Sequence, residues 1–413
     1  MIGASPALFS ANRAAMPLPL AGLTVLDLSR ALAGPFCAMI LADLGAEVIK
    51  IEPSPEGEMV RKWGPFKDGI SAYYLSIHRN KKSLALNFRD PRALALIREM
   101  AATADILVEN FKPGVMADMG MDYPVLKAAN PKLIFASITG FGSSGPYGTW
   151  PGVDQIAQGM SGLMSLTGQP ESVPTRVGIP IGDVVAGMWA AIGVQAAIVQ
   201  RQATGQGQLI ETSLLAGLIS LLNVQGQRQL TLGETPGVAG NDHPIICPYG
   251  MFQASDGPFN LSAATEDMWV KLCGLIGMEQ LRRDPKFATN AVRMQHREEL
   301  KAVLNEKFAT RGKMEWTLDL VKLGLPAGPI FDLQQVFEDP HVNQTGMVEE
   351  IEHPTLGPLR LLASPLRMEG MGGKSVRSAP PALGVDSREV LGNFGVPAAR
   401  IEELIAAGVV QAA

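Results

Sequence analysis

The sequence predicts an α/β protein in two parts, a large domain on a mostly parallel sheet and a smaller α+β domain. Three observations predict this. Between residues 24 and 138, short apolar runs alternate with helix-like segments, the order that sets parallel strands side by side through crossover helices. From about 230 to 242 the chain turns polar and glycine-rich, as a linker does. Beyond it, Asp256-Gly257 supplies a hairpin turn and three helical runs follow, enough for a second core. At 413 residues the chain exceeds the usual size of one domain.

In chain order, 24–27 reads as a buried strand, Ala33-Gly34-Pro35 as a turn, 36–44 as an apolar helix stopped by Gly45, and 47–52 as a second strand. A right-handed crossover joins the two strands. Residues 83–88 form the next strand. Asp90-Pro91 then opens a helix through 104, because an aspartate accepts first-turn N–H groups and a proline has none to satisfy. Strands at 106–109 and 133–138 flank a helix near 123–129. The longest apolar segment, 184–199, is interrupted by Gln195 and falls short of the roughly 20 residues a bilayer requires, so it reads as a buried helix. It is apolar all round, and Gly187 and Gly193 predict close packing against other helices, across a subunit boundary included. After a turn at Gly205-Gln206-Gly207 and the linker come the hairpin at 251–262, helices at 266–276, 293–309 and 313–323, and a helical pair near 388–407.

Composition narrows the partners. Lys and Arg total 35 against 40 for Asp and Glu, giving a net charge of −5, which argues against nucleic acid or an anionic membrane. Cys37, Cys247 and Cys273 are far apart, in apolar surroundings and without a CxxC, so no disulfide framework is expected and a reducing compartment, the cytoplasm, is the simpler reading. The first twenty residues hold Arg13, several alanines and serines and no acid, which leaves a mitochondrial matrix presequence as the alternative. No two of the five histidines have metal-ligand spacing, so no metal is expected.

Two glycine-containing turns raise the question of a dinucleotide. The first holds only Gly34, and Pro35 removes a phosphate-facing N–H. The second, Gly140-Phe141-Gly142-Ser143-Ser144-Gly145, fits GxGxxG after a strand, but the run that follows, Pro146-Tyr147-Gly148-Thr149-Trp150-Pro151-Gly152, cannot open the helix that would hold a pyrophosphate. NAD is therefore not expected, and 140–145 reads as a flexible loop near a reacting group, or as a turn without a ligand. Asp183 stands at the first turn of the apolar helix, where pattern alone favours an N-cap. Asp154 is a second acid that could pair with it in acid/base work.

The opening block, with Ala33-Gly34-Pro35 followed by Leu41, Ala42, Asp43, Gly45, Ala46, Val48, Ile49, Lys50 and Glu52, resembles the start of the family III CoA-transferases, the CaiB/BaiF or formyl-CoA transferase-like group. The likeness extends over nearly the whole chain after Pro17. It implies a Rossmann-like large domain, coenzyme A entering as acyl-CoA, and an interlocked homodimer. It also implies the layout 1–17 extension, 18–228 first part of the large domain, 229–330 small domain, and 331–413 a return completing the large domain. Such enzymes place a catalytic aspartate in G-D-x-x-x-G after P-x-R-x-G, matched by Gly182, Asp183 and Gly187 after Pro174, Arg176 and Gly178. The resemblance thus makes Asp183 a nucleophile, forming aspartyl anhydride and aspartyl-CoA thioester intermediates.

The same resemblance implies a CoA-binding edge of Glu52, Asn80, Lys81, Lys82, Asn110 and Phe111, with Gly140, Phe141, Gly142 and Asp154 near the thioester; Lys81 or Lys82 would pair phosphates. Arg30, Arg61 and Arg176 stand beside family-like motifs and could grip a carboxylate. Backbone N–H groups of 140–145 or 237–240 would serve as oxyanion donors. The related α-methylacyl-CoA racemases carry G-H-D where this chain has Gly152-Val153-Asp154, and valine exchanges no proton. A racemase, or a CoA-binding protein without turnover, remains the alternative. The runs Asp339-Pro340-His341, Gly346-Met347-Val348 and His353-Pro354-Thr355-Leu356-Gly357 look like those of enzymes passing CoA among dicarboxylic acids such as succinate and glutarate. Where many members have Gly-Glu-His-Thr this chain reads Gly384-Val385-Asp386-Ser387, so no contact carries over there.

Overall fold

A computed structural model describes residues 16–369 and 373–413. The expected extension therefore lies outside the described residues but for its last two. Two compact units emerge. The first takes the described residues up to Leu163, with Val177–Gly233 and His341–Ala413; the second takes Met164–Arg176 and Glu234–Pro340. The short segment 164–176, read from sequence as part of the large domain, thus goes with the smaller unit.

The strands are β1 (Thr24–Asp27), β2 (Glu47–Pro53), β3 (Phe66–Lys67), β4 (Ile70–Ser71), β5 (Lys81–Leu86), β6 (Ile106–Glu109), β7 (Ile134–Thr139), β8 (Leu209–Ser213), β9 (Tyr249–Ala254), β10 (Gly257–Ser262), β11 (Ala327–Pro329), β12 (Val348–His353), β13 (Gly357–Leu362) and β14 (Val410–Gln411). In the first unit seven of them form one sheet, ordered β14-β5-β2-β1-β6-β7-β8. Every pairing in it is parallel except that of β14, which runs antiparallel along the outer side of β5. Such a sheet must be covered on both faces. One face carries Leu26, Ile49, Leu84 and Leu107 beneath helices Pro91–Ala101, Ser387–Asn393 and Ala398–Ala406; the other carries Val25, Val48, Ile106 and Ile134 beneath Ala33–Asp43, Ile181–Thr204 and Leu214–Leu221. The expected α/β class with a parallel sheet is what the chain builds.

The second unit packs β9, β10 and β11 against helices Glu266–Leu275, Arg297–Phe308 and Lys313–Lys322, around Trp269, Phe259, Phe308 and Trp316. The helix expected over 293–309 is broken at His296 into Asn290–Gln295 and Arg297–Phe308.

Two boundaries differ in ways that matter. Ala33-Gly34-Pro35 is the first turn of helix Ala33–Asp43 rather than a turn before it, since a proline in a first turn forfeits no intrahelical bond. The apolar helix runs Ile181–Thr204, longer at both ends than the 184–199 stretch read from sequence. It is the one helix among the described residues long and apolar enough to cross a membrane by length and composition. Its glycines dock it. A Cβ on Gly187 would stand 2.5 Å from the Ala33 carbonyl oxygen, and one on Gly193 would stand 2.8 Å from Ile210. The helix backbone therefore lies directly on the first helix, fixing its N-terminal turn beside residues 32–36.

Candidate active site

The long helix begins after Pro180, whose side chain caps nothing, so Asp183 is a third helical residue and not the N-cap that its pattern favours. Another acid takes the first-turn donor. Asp154, itself the first residue of helix Asp154–Met160, accepts the Gly182 N–H at 2.8 Å on Oδ1 and the Gln158 amide at 2.7 Å on Oδ2. Gly182 is needed there, because an added Cβ would meet Asp154 Oδ1 at 3.0 Å. Gln158 in turn accepts the Val177 N–H at 2.9 Å. Asp154 is thus held by structural bonds, one of them to the residue just before Asp183.

The Asp183 carboxylate makes no hydrogen bond or ion pair among the described residues. Burial, and then the like charge of Asp154, push its pKa up to about 7. An ionisable group with no compensating partner, low in solvent and close to neutrality in its titration, is a candidate for a functional site. Beside it lies Tyr73, a residue that sequence reasoning missed. Tyr73 joins Leu32, Phe36, Met39, Ile77 and Val184 in one apolar cluster, and Trp63 meets its ring edge-on at 5.4 Å. Burial, then the charges of Asp183, Glu58 and Asp154, hold its phenol above the usual range. The only signal for Tyr73 in the sequence is the pair Tyr73-Tyr74, whose two rings point to different surroundings, and spacing alone does not tell which.

The expected CoA edge divides in two. Asn110 and Phe111 come together with Arg30. Asn110 accepts the Arg30 N–H at 2.7 Å and donates to its carbonyl at 2.7 Å, and the Arg30 guanidinium stands 4.9 Å from the Phe111 ring centroid. Among the described residues the exposed guanidinium has no hydrogen bond or ion pair, so its donors are open at the surface. Glu52, Asn80 and Lys81 instead turn inward. Glu52 is fully buried, bound by Arg61 through two bonds of 2.7 Å, by Ser83 at 2.7 Å and by the Glu58 N–H at 3.0 Å. Burial would raise its pKa, but the Arg61 bonds and charge outweigh this and hold it below the usual range. Arg61 also donates to Tyr74 and the Pro381 carbonyl, so it has no fork left for a substrate carboxylate. The buried Lys81 ammonium pairs with Asp27 at 2.9 Å and donates to the Pro35 carbonyl at 2.8 Å; no phosphate reaches it. Asn80 spends its amide on Asp43, Ser375, Arg377 and Ser378, and Lys82 pairs with Glu47 and Glu389. Within the chain these four side chains are thus bound to other protein groups, Glu52 and Lys81 in the interior and Lys82 at the surface.

The glycine loop follows β7 without opening a helix; the next one starts at Asp154. Gly140 and Gly152 pass so closely that a Cβ on either would come within 2.6 Å of the other's Cα. Gly142, at φ +99°, donates to Thr139 Oγ1 at 2.8 Å, which removes that N–H from the oxyanion donors expected here. Phe141, Tyr147 and Trp150 pack ring to ring along the loop. Val153 is well exposed, at 63%. Arg176 falls in the second unit, apart from the other candidates in the chain's division. Among the described residues no three His, Cys, Asp or Glu side chains gather as a metal site would require.

Comparison with known proteins brings a consistent set of relatives. A sequence model of CoA-transferase family III matches residues 20–387. The succinyl-CoA:glutarate CoA-transferase of Mus musculus is 37% identical, the alignment covering 95% of this chain and 90% of that protein. The acetyl-CoA:oxalate CoA-transferase of Acetobacter aceti is 35% identical over 92% of this chain and 97% of its own. A crystal structure of a CaiB/BaiF family protein from Brucella suis superposes with a TM-score of 0.83 at 37% identity, covering 92% of this chain and all of that one.

Proposed function

The chain belongs to CoA-transferase family III, and from that premise we propose that it carries CoA from succinyl-CoA to a second dicarboxylic acid by way of Asp183. The observation that carries the reading is the Asp183 carboxylate, unpartnered and raised to about 7 beside an acid already committed to capping. Once ionised it has nothing to release before attacking. Its oxygen adds to the thioester carbonyl and expels CoA thiolate, leaving a mixed anhydride. The thiolate then attacks the aspartyl carbonyl, freeing the donor acid and forming an Asp183-CoA thioester. The acceptor carboxylate attacks that thioester, a second anhydride forms, and the thiolate attacks its acceptor carbonyl. New acyl-CoA leaves and the Asp183 carboxylate is restored, with no net proton gained or lost.

Arg30, free over Phe111 and steadied by Asn110, is the cation we assign to the anionic part of acyl-CoA. Racemisation requires a second proton carrier beside the aspartate, and Val153 offers none. The relatives differ in donor and acceptor, so the pairing of succinyl-CoA with a dicarboxylate rests on the greater likeness to the glutarate enzyme. We further assign a second copy of the chain to the exposed apolar side of helix Ile181–Thr204, formed by Met188, Trp189 and Ile192.

Trapping tests the mechanism. After incubation with succinyl-CoA and then hydroxylamine, peptide mass spectrometry is expected to find an aspartyl hydroxamate at Asp183. An unmodified Asp183 across a panel of acyl-CoA donors would sink the proposal.

A further inference from the structure

Residues 28–32 connect β1 to the first helix, and in many α/β proteins the N–H groups of such a turn bind phosphate. Here those of Ser29, Arg30 and Ala31 are already taken, one after another, by side chains. Asp27 accepts the Ser29 N–H at 3.0 Å, Asn110 accepts the Arg30 N–H at 2.7 Å, and Glu58 Oε1 accepts the Ala31 N–H at 3.1 Å. The carbonyls are bound as well. Lys50 donates to Ser29, Asn110 to Arg30 and Lys81 to Pro35. Within this turn Ala31 has φ +59°, a left-handed conformation that a residue with a Cβ adopts only when its surroundings impose it.

We propose that Glu58 is a positioning residue, which holds Ala31 in its left-handed conformation and thereby aims the neighbouring Arg30 guanidinium at the bound acyl-CoA. This rests on the assignment of Arg30 given above. Glu58 is suited to the task because it is itself fixed. It is almost fully buried, its own N–H is held by Glu52, and its second oxygen faces His78 Nε2 at 3.7 Å. That oxygen and both His78 nitrogens have no hydrogen bond among the described residues. Its charge also faces Lys50, Lys81 and Arg61, and an acid of either length keeps that balance. The bond to Ala31 is what the carboxylate supplies to the crevice.

Steady-state kinetics with succinyl-CoA and glutarate tests this on the full-length protein. Glu58→Asp keeps the charge beside His78 but withdraws the oxygen from Ala31, whereas Glu58→Gln keeps an acceptor at the same reach. We expect Glu58→Asp to raise KM for succinyl-CoA ~10-fold with kcat within about twofold. Glu58→Gln should restore most of the loss, and hydrogen exchange at Ala31 should quicken in the Asp variant alone. A purely structural acid would lower kcat and thermal stability together and would leave Ala31 exchange unselective. The double variant with Arg30→Ala distinguishes the two readings. If Arg30→Ala by itself leaves KM unchanged, the assignment of Arg30 fails. If it raises KM and Glu58→Asp either changes nothing in the wild-type background or multiplies KM by the same factor with and without Arg30, the positioning role of Glu58 is overturned. A non-additive pair supports it.

Discussion

A carboxylate with a pKa of about 7 sits on the boundary of its own usefulness, because only its ionised form attacks a thioester. The value of kcat/KM for the acyl-CoA donor should therefore rise with pH through about 7 and level off above it, in assays from about pH 5 to 9. Stability moves the other way. The folded chain keeps a proton on Asp183 that the unfolded chain, with an ordinary value of 3.8, has lost, so stability falls as pH climbs from about 4 to about 7. Asp183→Asn removes both effects. It is expected to cut kcat on the order of 10³-fold or more and, at pH 8, to raise stability by ~1 kcal/mol, seen as a higher Tm. Asp154→Asn keeps an acceptor for Gly182 but discharges the neighbour, so the kinetic midpoint should drop below that of the wild type while the fold stays intact. At this scale the motif singled out Asp183, and its burial beside Asp154 is what the structure adds. The buried partners of Lys81 and Glu52 were not legible, because a charge in an α/β crevice reads the same whether it faces a ligand or a buried counter-charge.

The elements that carry the site are set by close approach rather than by side-chain bulk. Helix Ile181–Thr204 reaches the first helix only because Gly187 lets its backbone touch the Ala33 carbonyl, and Asp183 lies one turn before that contact. Gly187→Val would force the helices apart. A cost of about 1–3 kcal/mol is expected, together with a fall in kcat larger than the lost stability explains, measurable by comparing Tm and turnover in the same preparation. The packing role of Gly187 was legible in an apolar run interrupted by small residues. The helix start at Ile181 was not, since Pro180 and Gly182 read as breakers when nothing shows that Asp154 arrives from another segment to satisfy the Gly182 N–H. Likewise Ala33-Gly34-Pro35 looks like a turn until the Ser29 side chain, which a Cβ on Gly34 would meet at 2.2 Å, is seen to fill the space beside it.

For the whole molecule, periodicity foretold the class and the second core, while the order of strands and the place of the last one needed three dimensions. The exposed Met188, Trp189 and Ile192 lie on a helix whose opposite side is buried in the first unit. A second copy covering them predicts that the protein sediments as a dimer and that Trp189→Glu yields monomers; a monomeric wild type would refute the assignment. The sheet carries one further implication. Its edge strand β5 is closed by Val410 and Gln411, paired with Leu86 and Ala85, and Val409 and Val410 are buried beside it. On the ribosome those residues emerge more than three hundred positions after the strand they cover. The second unit's long segment, Glu234–Pro340, is synthesised between the two. During translation the smaller core can thus settle before the larger sheet receives its last strand, and until then the β5 edge stays unpaired.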